Sequence, residues 1–274
     1  MDHKIKNIGT LEGRILIFGG VYSNFQALEK LIEIAEQENI PASNCICTGD
    51  IVGYCAQPQE TVDLFRSWNP HSITGNVEIQ LAEGEEDCGC DFREGSRCDN
   101  FSKLWYPYAK SRLSSEAVEW MRTLPEHIEF TYGGQKFTVV HGAFDHVSEF
   151  IFKSTPWAKK EETFLATGSE VIIAGHCGIP FNHSKDGKKW INPGVIGMPA
   201  NDGTPRVWYA ILDKENPGLV KHYNFDYNYK LVSELMSASY LPEEYARTLK
   251  TGIWDNTEIL PEAEKGLQGL GIRF

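Results

Sequence analysis

The sequence predicts an α/β fold, on three observations. Short apolar runs alternate with amphipathic stretches along the chain. Several of those runs end in a Gly-bearing turn and pass directly into helical spacing. Two β-type runs, HIEFTY (127–132) and QKFTVV (135–140), meet at Gly133-Gly134, a strong two-residue hairpin signal.

Taken in order, the first unit is a strand at Arg14–Phe18, a turn over Gly19–Ser23 and a helix. Phe25, Leu28, Leu31, Ile32 and Ala35 define that helix's apolar face, with Asn24 as N-cap. A strand at Cys45–Thr48 ends in Gly49-Asp50 and leads to a helix opening near Pro58, a favoured first-turn residue. His71–Thr74 is a third short strand, ending in Gly75-Asn76. Residues 79–100 are acidic, Gly-containing and Cys-rich, and predict an irregular excursion. Helices follow around 101–110 and 114–123, then the hairpin, a strand at Val171–Ala174, a second hairpin turning at Asp186-Gly187, and a strand at Arg206–Leu212. From about 227 the tail is amphipathic and helical in spacing. With no repeat, low-complexity tract or Pro/Ser-rich linker, the simplest organisation is one domain over 1–274, carrying the Cys-rich insertion and the helical tail.

A net charge of −12 and the lack of a basic stripe argue against binding to a nucleic-acid duplex or an anionic membrane. A small phosphorylated molecule remains a reasonable partner if a metal or helix N-termini supply local positive charge. Neither a signal-peptide core nor an apolar run approaching ~18 residues is present, which predicts a cytoplasmic protein. Seven cysteines, an odd number, predict thiols or metal ligands over a disulfide framework. Self-association is left open.

The strand ends read GGVYSN (19–24), GDIVGY (49–54), GNVE (75–78), VHG (140–142) and GHCG (175–178), followed by NPGVIGMPANDGTPR (192–206). Ligand sites of α/β sheets lie where strands end, and Asp, His and Asn carry donors suited to phosphoryl chemistry on metal ions. Taken alone, Asp50 and Asn76 also fit helix caps or Asx turns, and a single His is more often a satisfied core residue than a ligand.

As an ordered series, these blocks resemble the calcineurin-like metallophosphoesterases, especially the bacterial YfcE-like branch, over about residues 14–250. The resemblance implies a four-layer sandwich of two mixed sheets flanked by helices, and a two-metal site hydrolysing phosphoric esters. It also exposes departures. Gly20 and Tyr22 replace the family's Asp and His in the first block, Val77 its catalytic His in the third, and Gly178 the second His of the fifth. The family's counterparts of Gly20, Tyr22 and Gly178 serve the first metal. The counterparts of Asn76, His141 and His176 serve the second, and that of Asp50 bridges both. The expectation is therefore one orthodox divalent cation (Mn, Fe, Zn or similar) at Asp50, Asn76, His141 and His176. Asn76, Glu78 and Tyr22 are the candidate catalytic groups, with Glu78 or Tyr22 protonating the leaving group. Asn24, Tyr54, Asn192, Asn201 and Arg206 are the candidate substrate-binding residues, Arg206 as a bidentate donor; for Tyr22 and Tyr54, plain packing is an equal reading. Cys88, Cys90 and Cys98 could hold zinc as a second or structural metal, form a disulfide, or simply pack. Three functions stay open: a divergent phosphoesterase, a non-catalytic nucleotide- or phosphate-binding module, and a cysteine-based metal- or redox-responsive interaction protein.

Overall fold

The computed structural model describes residues 3–213 and 220–274; the remaining positions of the 1–274 range lie outside the described residues. The strands are β1 (Ile5–Thr10), β2 (Ile15–Phe18), β3 (Cys45–Cys47), β4 (His71–Ser72), β5 (His127–Tyr132), β6 (Gln135–Val140), β7 (Val171–Ala174), β8 (Phe181–Lys185), β9 (Lys188–Asn192), β10 (Val207–Leu212) and β11 (Val220–Phe225). The helices are α1 (Phe25–Gln37), α2 (Pro58–Trp68), α3 (Asn76–Glu83), α4 (Arg97–Arg112), α5 (Ser115–Thr123), α6 (Trp157–Thr167), α7 (Tyr229–Ala238), α8 (Glu243–Thr251) and α9 (Glu262–Lys265).

Two mixed sheets result, in the orders β1-β5-β6-β7-β9-β8 and β11-β10-β2-β3-β4. They pack face to face with helices outside, and side-chain alternation shows why. Along β2, Ile15 and Ile17 join an inter-sheet core with Ile128, Phe130, Phe137, Val139, Val171 and Ile173. Leu16 and Phe18 point the other way, against Leu28, Leu31 and Phe65 of α1 and α2. On β7, Val171 and Ile173 face the sheets' interior while Ile172 and Ala174 meet Trp157 and Phe164 of α6. Buried on both faces, such strands appear as unbroken apolar runs.

Local signals hold where the side chain itself makes the element. Asn24 accepts the Ala27 N–H and caps α1; Pro58 opens α2; Gly133 and Gly134, both with positive φ, turn the β5–β6 hairpin. The excursion expected over 79–100 is shorter. Helix α3 continues to Glu83, where Gly84 (φ 83°) ends it in the left-handed conformation. Ser96 then caps α4 from its first residue. The tail is three helices, α8 and α9 each entered through a proline, Pro242 and Pro261. Strand β1, α6 and β11 had no forecast. β1 is almost wholly exposed and β11 is buried mainly at its ends, so neither carries a clear apolar pattern. Among the described residues no helix is long and apolar enough to cross a membrane.

Phe137, fully buried and stacked on Phe130 at 4.9 Å, should cost about 3–5 kcal/mol of unfolding free energy on truncation to Ala, measured by urea denaturation. His222 contributes a pH dependence. Burial pushes its pKa down to about 4 although its Nε2 meets the Asn192 carbonyl at 2.8 Å. Between pH 6.5 and about 4 the unfolded chain takes up this proton and the folded chain does not, so stability should fall as pH drops through that window. His222→Phe should flatten that part of the stability profile.

Candidate metal centre

The site is built from four strand ends. Asp50 follows β3, Asn76 is the first residue of α3 after β4, His141 follows β6, and His176 follows β7. The loops after β3 and β4 interlock tightly: a Cβ on Gly49 (φ 91°) would sit 2.5 Å from the Gly75 nitrogen, and one on Gly75 would meet the Asp50 carboxylate at 2.0 Å. Only glycine fits at either position.

Glu78 holds these loops together. Its fully buried carboxylate accepts N–H bonds from Asp50 (2.9 Å), Val52 (3.1 Å) and Gly75 (2.9 Å). Asp50 (φ 57°) and His176 (φ 58°) both sit in the left-handed region, disfavoured for side chains with a Cβ, and for Asp50 this clamp supplies the compensating bonds. Burial, then the nearby Asp50 charge, pushes the Glu78 pKa up to about 7.

Four donor atoms converge around His141. Its Nε2 lies 3.1 Å from Asn76 Oδ1, 3.0 Å from His176 Nδ1 and 3.3 Å from Asp50 Oδ2. The Nδ1 of the same ring is 2.6 Å from the Thr48 carbonyl oxygen, which can only accept, so Nδ1 carries the proton. In its neutral form His141 then aims the Nε2 lone pair at Asn76 Oδ1, His176 Nδ1 and Asp50 Oδ2. Asn76 is fixed the same way: its Nδ2 donates to the Cys88 carbonyl (2.8 Å) and the Cys90 sulfur (3.2 Å), leaving Oδ1 to face the centre. A carboxylate, an amide oxygen and two imidazoles buried together suit a cation among them. Asp50, His141 and His176 have ligand atoms within 4.8 Å of one another, and with Asn76 they form an O/N set suited to a divalent transition metal.

Without a metal, a proton on His141 competes for the same place. Burial opposes ionisation of Asp50, but the neighbouring His141 and His176 outweigh it and hold the carboxyl below its usual range. Burial likewise opposes a charge on His141, yet Asp50 outweighs it and shifts that pKa upward. His176 is pushed down to about 3 by burial and then by His141, which keeps it a neutral, ligating imidazole.

The half-site expected to be missing is filled by aromatic bulk. A Cβ on Gly20 would lie 2.3 Å from Cζ of Tyr22, so the Tyr22 ring occupies the space an acidic side chain there would need. Gly178 has φ 76°, and Trp254 packs 3.4 Å from where its Cβ would be. Restoring ligands by Gly20→Asp thus requires removing the Tyr22 ring as well. A pocket opens beside Asp50 and His176, lined by Tyr22, Tyr54, Cys90, Phe92, Cys98, Phe150, Tyr245, Trp254 and Asp255, and no Lys or Arg is among its described lining residues. Tyr54 stacks on Trp105 at 4.8 Å and meets Tyr22 edge-on at 4.6 Å.

Several expected roles are corrected. Glu78 is spent on three backbone N–H groups beneath the pocket and is no proton donor to a substrate. Asn24 is fully buried, bonded to Gly197, Tyr227 and Ala27. Asn192 is bonded to Gly175, Cys177 and Gly194, and Asn201 accepts from Trp254 and Gln268. These three asparagines fasten loops, and none of them lines the pocket; nor does Arg206. Cys88, Cys90 and Cys98 are free thiols whose sulfurs do not gather within ligating range as a trio. Cys88 and Cys90 share a thiol hydrogen bond, while Cys98 meets Asn256 at 3.5 Å. A three-sulfur zinc site is therefore absent from this arrangement. Sequence reasoning missed the roof made by Phe92, Phe150, Tyr245 and Trp254, because isolated aromatics outside the strand-end blocks carry no spacing signal.

Glu78→Ala should strand three buried N–H groups at about 1–3 kcal/mol each and weaken Mn²⁺ binding by loosening Asp50. Glu78→Gln, which keeps the acceptor oxygen, should lose less; urea denaturation and metal titration of both variants measure the difference.

A family model described as "Calcineurin-like phosphoesterase superfamily domain" matches residues 14–217. An uncharacterized protein of Methanocaldococcus jannaschii is 27% identical over 259 residues, covering 88% of this chain and 99% of that one. A structure described as a metallophosphoesterase from Sphaerobacter thermophilus superposes with a TM-score of 0.69 at 26% identity, covering 89% of this chain and 100% of the other. A hypothetical protein of Pyrococcus horikoshii gives a TM-score of 0.73 at 20% identity over 88% of this chain and 99% of that one, a likeness of fold. With its strand-end donors and two-sheet sandwich, the chain belongs to the calcineurin-like phosphoesterase superfamily.

Proposed function

We propose that the chain is a cytoplasmic metal-dependent phosphoesterase, acting as one unit on a small phosphorylated molecule with a single orthodox cation. The observation that carries this reading is the buried convergence of Asp50, Asn76, His141 and His176, with His141 and Asn76 oriented by their other polar atoms. Superfamily membership and likeness to a protein described as a metallophosphoesterase support it, as do seven unpaired cysteines, which suit a reducing compartment. The block order that likens the chain to the YfcE-like branch favours a diester.

A divalent ion at this centre would act as a Lewis acid on a phosphoryl oxygen. Aromatic side chains then position the organic part of the ligand, and with no Lys or Arg among the described lining residues the phosphoryl group depends on the metal centre. Tyr22 is the protic group at the pocket wall that packs over Gly20, beside Asp50. Burial, then Asp50, raises its pKa well above 10, so it remains a neutral hydrogen-bond donor and a weak acid. With Val77 in place of the usual His and Glu78 occupied below, leaving groups that depart without a proton are favoured.

One observation favours a second reading. The Tyr22 ring fills the first half-site, which suits a module that binds a nucleotide or phosphate without cleaving it.

Metal-stripped protein resupplied with Mn²⁺ should hydrolyse bis-nitrophenyl phosphate and leave an unactivated alkyl ester intact. Asp50→Ala and His176→Ala should each lower the rate by at least about 10²-fold, the scale of losing one electrostatic stabiliser. Turnover unchanged in His176→Ala would count against the proposal. No turnover with several metals and both ester classes, with a nucleotide still raising the melting temperature, replaces it with the binding module.

A further inference from the structure

We propose a second metal site, separate from the centre above, in which His3, Glu126 and His127 bind Zn²⁺ and staple strand β1 to the sheet. Ligand atoms of these three side chains lie within 4.8 Å of one another. His3 Nδ1 is 2.8 Å from Glu126 Oε2, and the two imidazole rings are 5.0 Å apart. A tetrahedral Zn²⁺ with bonds of about 2.0–2.1 Å needs its donors roughly 3.3 Å apart, so small side-chain movements close the set.

The independent observation is His127. It is only 5% exposed, yet neither ring nitrogen has a hydrogen-bond partner at normal geometry, apart from a loose approach by the Phe144 backbone. A buried imidazole with both nitrogens unmatched is costly, and a cation on one of them removes that cost. The ring is fixed by stacking on Phe144 at 4.4 Å. His3 shows the complementary feature. With Nδ1 turned to the cluster, its Nε2 lies 3.2 Å from Asp145 Oδ1, the carboxylate–histidine arrangement that orients a ligating imidazole and raises its basicity. Two imidazoles and one carboxylate with a solvent-accessible fourth position form an ordinary zinc donor set; Glu126 supplies the exposed side.

The location gives the site a task. Among the described residues β1 pairs only with β5, in parallel, and is almost wholly exposed, so it buries little apolar surface of its own. A metal bridging His3 to Glu126 and His127, next to the Lys4 carbonyl that accepts from both residues' N–H groups, would fasten the strand's start. Through Asp145 it also reaches the loop that begins at His141.

The test isolates this site from the first. Metal-stripped Asp50→Asn/His176→Gln protein, its orthodox centre disabled, is titrated with Zn²⁺ by calorimetry and its melting temperature followed. One equivalent should bind and raise the melting temperature. Adding His127→Gln should abolish both effects, and so should adding His3→Gln, which lies before β1 and outside any helix or strand and keeps the protein folded if His127→Gln does not. No binding in the double variant would reduce the cluster to a His3–Glu126 ion pair and overturn the proposal. Binding that persists with His3→Gln in folded protein would overturn it equally, by placing the metal elsewhere. Failure of the phosphoesterase reading leaves this result untouched, because no turnover is measured.

Discussion

The Glu78 carboxylate is the constraint on which the centre depends. Three backbone N–H groups from two different loops converge on it, and those loops carry Asp50 and Asn76. Without it Asp50 would have no reason to stay in the left-handed region against a glycine that leaves no room for a Cβ. A carboxylate buried this deeply is expensive unless its charge is matched by donors. Here the donors are the strained turns themselves, so one group offsets both its own desolvation and the irregular backbone around it.

The same economy of roles appears in the half-site that changed. With no side chain at Gly20 or Gly178, a void could stand beside the candidate cation site. Instead, Tyr22 folds over Gly20, Tyr54 packs on Tyr22, and Trp254 lies on Gly178. The low-dielectric wall that results strengthens the electrostatics of the remaining donors. It also leaves the pocket wall aromatic, with no Lys or Arg among its described lining residues.

Much of this was legible in the sequence, for identifiable reasons. Strands buried on both faces leave apolar runs, so β2, β3, β7 and β10 stand out, and Gly133-Gly134 declares its hairpin. The convergence of Asp50, Asn76, His141 and His176 was legible because each follows a strand within a recognisable block. What failed were roles that depend on which way a side chain points. Asn24, Asn192 and Asn201 belong to the same blocks, yet their amides fasten loops; a block of letters does not separate a residue facing the pocket from one facing the backbone behind it. Glu78 was misread for that reason. β1 escaped notice because a strand that buries almost nothing has no hydrophobic period to detect, and the grouping of His3 with His127 escaped because His3 and Glu126 stand 123 positions apart in the chain.

The aromatic roof has a consequence for the order of assembly. All four donors of the metal centre lie in the chain by His176, and the sheet strands are complete by Phe225. Tyr245 and Trp254, which cover the pocket, come afterwards. At a synthesis rate of about 5–20 residues per second, the ribosome adds the stretch from His176 to Trp254 over several seconds. During that interval the nascent polypeptide carries its donors with the later part of the cover still unmade, so a cation entering the candidate centre would have its widest access before the chain is finished.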